Sequence, residues 1–171
     1  MQLATTAEKL QAMGIETLTI VITPIERARL YFKYRPVRIA VASDPDVMVH
    51  RAFGLPRFEV MHDEGALAQW PLGVTREDFR AVRNDAGGEL PAPLPLVAVR
   101  DELNQRDGFE LTEVDVEIRE KHWSQLTGHF LIDRTGIIRW THVEAERGIS
   151  DLGRYPGDEE ILAAVRALAL S

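Results

Sequence analysis

No cysteine occurs anywhere in the 171 residues. That absence excludes disulfides, thiolate catalysis and any zinc site built on sulfur together. Basic charge is also short: 20 Lys and Arg stand against 27 Asp and Glu, a formal net charge of −7. A chain with that balance is repelled by nucleic acid and by anionic membrane surfaces, so neither is expected as a partner. Long apolar runs are missing, since none approaches the ~20 residues that a membrane span needs. The N-terminus lacks the basic region, apolar region and cleavage site of a signal peptide, and a cytoplasmic location is expected. There is no Gly-x-Ser-x-Gly elbow, no phosphate loop, no Gly-x-Gly-x-x-Gly fingerprint and no internal repeat. A chain of this length can bury roughly 70% of its unfolded surface, so it needs no metal or disulfide for stability. Residues 1–171 are read as a single domain.

What is present is an alternation of helix and strand signals. Thr5-Thr6-Ala7-Glu8 has capping-box spacing and Gly14 is a helix stop, giving a first helix with Leu3, Ala7 and Leu10 on one face. Glu16 to Ile22 is β-branched and reads as a strand. Thr23-Pro24-Ile25-Glu26 then predicts a helix capped by Thr23, with Glu26 reaching back, running to Tyr34 with Ile25, Ala28 and Phe32 inward. Val37 to Ala42 is a second strand, and Ser43-Asp44-Pro45-Asp46 starts a helix that Gly54 ends. Far along the chain, Gly128 to Trp140 reads as strand, two-residue turn, strand, with turn chemistry from Asp133 to Gly136. Its apolar runs suggest a strand covered on both faces. The last helix begins near Pro156-Gly157-Asp158 with an acidic first turn, and Ile161, Leu162, Val165 and Leu168 form its buried stripe. This order predicts an α/β sheet flanked by helices.

Between Leu55 and Thr127 lies a long insertion, which at this length should carry its own structure and shape a pocket or an interface. Thr75-Arg76-Glu77-Asp78 predicts a helix leading to Phe79 and Val82, stopped by Gly87-Gly88. Pro91, Pro93 and Pro95 stiffen a segment leading into Leu96–Val99, a candidate strand. Thr112 to Leu126 carries both a capped-helix signal and a strand-like alternation, and is read as helix.

The section from Glu16 to Gly54, with Asp44-Pro45 followed by Ala52-Phe53-Gly54-Leu55, resembles the redoxins. That thioredoxin-like group includes the alkyl hydroperoxide reductases and thiol-specific antioxidants. Gly128 to Trp140 is similar to the strand pair near their end, and Asp158 to Leu170 to their last helix. The resemblance implies thiol-dependent peroxide or disulfide reduction, on a thioredoxin-like sheet with its usual first central strand missing here. It places the chain's start inside the helix that follows the catalytic turn, so the Cys-bearing segment would lie upstream of Met1. Thiol peroxidases of the group carry an Arg, and thiol-disulfide oxidoreductases a cis-proline, at about the position of Thr127. Three repairs of the sheet are open: direct pairing of its neighbours, a strand donated by Leu96–Val99, or a partner chain. A homodimer is expected on the last ground, because unpaired edges invite pairing.

The five histidines, His50, His62, His122, His129 and His142, show no metal-binding spacing. Neither a metal nor any other cofactor is expected. Thr127 and His129 share a strand face, which in the family points toward the active-site region. With Trp140 and His142 from the neighbouring strand they form a candidate residual pocket; the plainer alternative is a hydrogen-bonded strand-end cluster. No catalytic residue is assigned. His62-Asp63-Glu64 and Glu144-Ala145-Glu146-Arg147 read as solvated loops. Two functions stay open: a redoxin enzyme whose nucleophile lies outside this chain, and a cysteine-free descendant that binds a small ligand or a protein partner.

Overall fold

A computed structural model describes residues 2–61 and 73–169. The cluster at His62, Asp63 and Glu64 lies outside the described residues. In chain order the elements are α1 (Gln2–Ala12), β1 (Leu18–Val21), α2 (Ile25–Tyr34), β2 (Ala40–Ser43), α3 (Met48–Ala52), β3 (Val60–Met61), β4 (Val74–Thr75), α4 (Arg76–Ala81), β5 (Arg83–Asn84), β6 (Leu94–Pro95), α5 (Leu96–Asp107), α6 (Glu113–His122), β7 (Gly128–Ile132), β8 (Ile138–Val143) and α7 (Asp158–Ala169). The mixture of helix and strand is that of an α/β protein. Among the described residues the strands pair as four two-stranded ribbons, β1–β2 and β3–β4 parallel, β5–β6 and β7–β8 antiparallel, with one isolated antiparallel bridge between Arg57 and Gln125.

The chain forms two compact units, residues 1–54 with 97–123, and residues 55–96 with 124–171. The insertion is therefore shared between them.

In the first unit, β1 and β2 flank α2, with Leu18 in register with Ala40 and Val21 with Ser43. The expected side-chain cap of α2 is not made. Pro24 takes the cap position, and its carbonyl accepts from the N–H groups of Arg27 and Ala28. The Thr23 carbonyl is occupied by the Ser43 hydroxyl at 2.7 Å. At α3 the cap is Asp44, whose carboxylate accepts from the N–H groups of Met48, Val49 and His50 and from the His50 ring at 2.9 Å. This arrangement holds Val47 at φ 51°, a left-handed backbone that β-branched residues rarely adopt. Capping is as expected at α6, where Thr112 and Asp115 form a reciprocal box. Asp115 also accepts from Nε and Nη2 of the Arg27 guanidinium, and Asp107 pairs with Arg35. Buried Phe109 makes edge-to-face contacts with Tyr31 and Tyr34.

The second unit is built on Phe58, Val74, Val82, Leu126, Ala145 and Leu152, with Val60, Phe79, Leu96 and Ile149 packed against them. Fully burying a side chain of the size of Phe58 or Leu126 contributes about 1.5–3 kcal/mol. Thr75 caps α4 as expected, accepting from the Asp78 N–H at 3.0 Å. The glycine pair does not stop that helix. It ends at Ala81, β5 follows, and Gly87 and Gly88 take positive φ in the turn between β5 and β6. Leu96–Val99 is the first turn of α5, not a strand, so it cannot fill a gap in a sheet. The good helix formers Arg100, Glu102, Leu103, Gln105 and Arg106 outweigh two β-branched residues at the helix start, where the propensity cost is a few tenths of a kcal/mol.

The hairpin also departs from expectation. Its turn falls at Asp133 to Gly136 as expected, but three residues rather than two separate the hydrogen-bonded Asp133 and Ile137, and the Asp133 carboxylate accepts from the N–H groups of Thr135 and Ile137. A register shift follows Leu131. Ile132, Ile137 and Ile138 are exposed, so this end of the ribbon is not covered on both faces. The α7 stripe forms as expected, with Leu162 and Val165 buried.

Candidate functional site

The β7–β8 register decides which side chains meet. His129 lies opposite His142 and Leu131 opposite Trp140. One step further on, the Glu144 N–H donates to the Thr127 carbonyl at 2.8 Å. Since side chains alternate along a strand, Thr127, His129 and Leu131 share one face with Trp140, His142 and Glu144. All four residues singled out in the sequence, Thr127, His129, Trp140 and His142, therefore stand on that face. Thr127 is exposed and the other three are half-buried.

The rings form a chain of contacts. Trp140 stacks on His142 at 6.3 Å and 22°. His142 meets His129 edge to face at 5.9 Å, and His129 meets Tyr155 at 5.9 Å. Burial and the neighbouring His142 lower the His129 pKa to about 4, so this imidazole is neutral at pH 7. The Nδ1 of His129 and the Nε2 of His142 are both buried without a hydrogen-bond partner.

Three further groups were not expected. Glu144 is buried, not a solvated loop residue: its carboxylate accepts from the Thr127 N–H at 2.9 Å and the Gly153 N–H at 2.7 Å. Extending the strand alternation from Trp140 and His142 by one more step would have found it. Tyr155 comes from the irregular segment after β8, and no local pattern points to it. The residue is 52% exposed while its hydroxyl shares a hydrogen bond with the Thr127 side chain. Crowding around that hydroxyl and the nearby Glu144 charge push its pKa up to about 12. Glu160, in the acidic first turn of α7, places its carboxylate 3.8 Å from His142 Nδ1.

The remaining described histidines hold structure elsewhere. His50 is bound to Asp44, and buried His122 reaches the Pro45 carbonyl at 3.0 Å. Among the described residues no group of three or more His, Asp or Glu side chains is arranged to hold a metal ion. No helix among them is long and apolar enough to cross a membrane.

A family model described as AhpC/TSA antioxidant enzyme matches residues 2–146. No curated protein and no solved structure gives a significant match.

Proposed function

The chain belongs to the AhpC/TSA antioxidant enzyme family, and from that premise we propose that it is a redoxin relative that performs no thiol chemistry with its own residues. It instead uses the Thr127, His129, Trp140 and His142 face to bind a small molecule. The observation that carries this reading is the pairing of a cysteine-free chain with two buried, unpartnered imidazole nitrogens on one strand face. Thiol-dependent peroxide reduction needs a thiolate as nucleophile. A neutral imidazole, a phenol held protonated and a threonine hydroxyl offer hydrogen bonds but no such nucleophile. The β1–α2–β2 section and the β7–β8 hairpin followed by α7 support a thioredoxin-like ancestry for the fold.

The test is peroxide consumption by the purified chain with excess dithiothreitol. The expected rate equals that of buffer, and a protein-dependent rate refutes the reading. The family match favours a second reading, in which a cysteine outside residues 1–171 attacks peroxide beside this face. Intact-mass analysis of the protein from its own organism separates the two. A mass above 19.3 kDa with cysteine-bearing peptides supports the second, and a mass equal to this chain's supports the first.

A further inference from the structure

We propose that Trp140, His142, His129 and Tyr155 form a radical relay, through which the chain gives up single electrons to small neutral oxygen-centred radicals of the alkylperoxyl class. The relay does not depend on whether the same face binds a small molecule. Four rings stand in unbroken contact along it. Trp140 stacks on His142 at 6.3 Å, His142 meets His129 at 5.9 Å, and His129 meets Tyr155 at 5.9 Å. Its two ends are an indole and a phenol, the side chains that part most readily with one electron once thiols are set aside. Thiols are absent here, and with them the usual ladder of cysteine oxidation. Electron tunnelling falls steeply across empty space, and ring-on-ring contact shortens each gap. The junction between the imidazoles is closed, since Nδ1 of His129 and Nε2 of His142 are both enclosed.

The surroundings favour loss of an electron. His129 is neutral at pH 7, so this part of the bridge holds no positive charge to oppose it. The Glu160 carboxylate stands 3.8 Å from His142, and the Glu144 charge acts on Tyr155. Negative charge at either place stabilises a ring that has lost an electron. The same carboxylates, in a chain of formal net charge −7, repel anionic oxidants such as superoxide, so neutral radicals are the class admitted.

The chemistry balances in two steps. A peroxyl radical meets half-buried Trp140 and takes one electron with the indole N–H proton. The N–H bond breaks, an O–H bond forms, and a hydroperoxide departs from an indolyl radical. Tyr155 then sends one electron through the imidazoles to that radical. Its O–H proton leaves through the hydrogen-bonded Thr127 side chain to water, since Thr127 is exposed. The indole nitrogen takes a proton back from water. The indole is restored and a phenoxyl radical remains on Tyr155, which is 52% exposed and open to a reductant in solution.

The experiment is pulse radiolysis of the full chain carrying Trp70→Phe and Trp123→Phe, which leaves Trp140 as its one tryptophan. Azide radical, a neutral oxidant selective for indole, starts the reaction. Indolyl absorption should decay as phenoxyl absorption grows, at a rate independent of protein concentration. Tyr155→Phe should abolish that growth, while Tyr31→Phe with Tyr34→Phe should leave it unchanged. His129→Leu, which removes one ring of the path, should slow it severalfold. Tyr155→Phe deletes a single hydroxyl and decides the matter if the histidine variant fails to fold. Phenoxyl growth that survives Tyr155→Phe, a rate that rises with protein concentration, an unaltered rate in folded His129→Leu, or no phenoxyl signal at all overturns the proposal. The peroxide assay reads two-electron reduction, so its outcome and this one are separate.

Discussion

Replacing Glu144 by alanine should weaken the second unit more than any other substitution of an acidic residue there. Its carboxylate closes two gaps at once, taking the Thr127 N–H at 2.9 Å and the Gly153 N–H at 2.7 Å. A hydrogen bond to a charged group contributes about 1.5–3 kcal/mol, and a buried donor left alone costs a similar amount. Thr127 is exposed and its N–H can turn to water, while Gly153 is half-buried. The lower end of the sum applies, about 3 kcal/mol. In a protein of this size that corresponds to a melting-temperature drop of roughly 6–12 °C. Calorimetry of Glu144→Ala against Glu146→Ala tests it, because Glu146 is exposed two residues further on and should change stability by no more than about 0.5 kcal/mol. Equal melting temperatures for the two variants would refute the reasoning. A second readout is phenolate absorbance. Glu144 helps raise the Tyr155 pKa to about 12, so Glu144→Gln should move that titration to lower pH.

Acid should destabilise the fold through His129. Its pKa falls from 6.5 to about 4 on folding, so the unfolded chain binds more protons between those values. Stability is full above pH 6.5, declines by up to about 3 kcal/mol as pH drops to 4, and is flat in this component below that. His129→Asn should abolish that slope in urea melts recorded across the range. Asp44→Ala removes the acceptor for three backbone N–H groups and the His50 ring, and about 1–2 kcal/mol should be lost. Burial works to raise the Asp44 pKa, but the His50 ring and the backbone donors outweigh it and hold it below 3.8. This contribution therefore fades only as pH falls below 3.8, and Asp44→Ala should lack it in acid melts. Gly128→Ala would place a Cβ 2.5 Å from Leu55 Cδ2 and 2.7 Å from Phe130 Cε2. These side-chain ends can shift, so a cost of about 1–3 kcal/mol is expected in thermal melts. We expect light scattering to give twice 19.3 kDa, because β1 and β7 each have one hydrogen-bonded strand neighbour among the described residues; a monomer mass would exclude the dimer.

Elements whose signals are local were legible in the sequence. Thr75 with Asp78, and Thr112 with Asp115, satisfy backbone donors within one turn, so the pattern that predicts the cap also makes it. The α7 stripe follows from helical period alone. Asp44-Pro45 and Gly128 to Trp140 likewise carried the family likeness, because turn and strand residues are fixed by local backbone demands. The β7–β8 face was legible for the same reason: alternation places Thr127 and His129 together, and Trp140 and His142 together, before any fold is known.

Competition between distant partners was not legible. Thr23 has the residue type of a helix cap, yet its carbonyl is held by Ser43 from β2, and Pro24 takes the cap. Leu96–Val99 carries β-branched residues but no partner strand pairs with it, and its continuation favours helix. A short apolar run does not state which ends of a ribbon will be covered, and Ile132, Ile137 and Ile138 are exposed. The sequence by itself determined the class of fold, the family and the absence of a thiolate, because composition, period and capping chemistry are properties of neighbouring residues. Only the tertiary structure decided that Glu144 is buried across the Thr127 and Gly153 N–H groups, that Tyr155 closes on His129 and that Glu160 stands behind His142. These contacts join the β7–β8 ribbon and the residues that border it to segments later in the chain; alternation places Glu144 on the face, but what it, His129 and His142 meet there is set by how the whole unit packs.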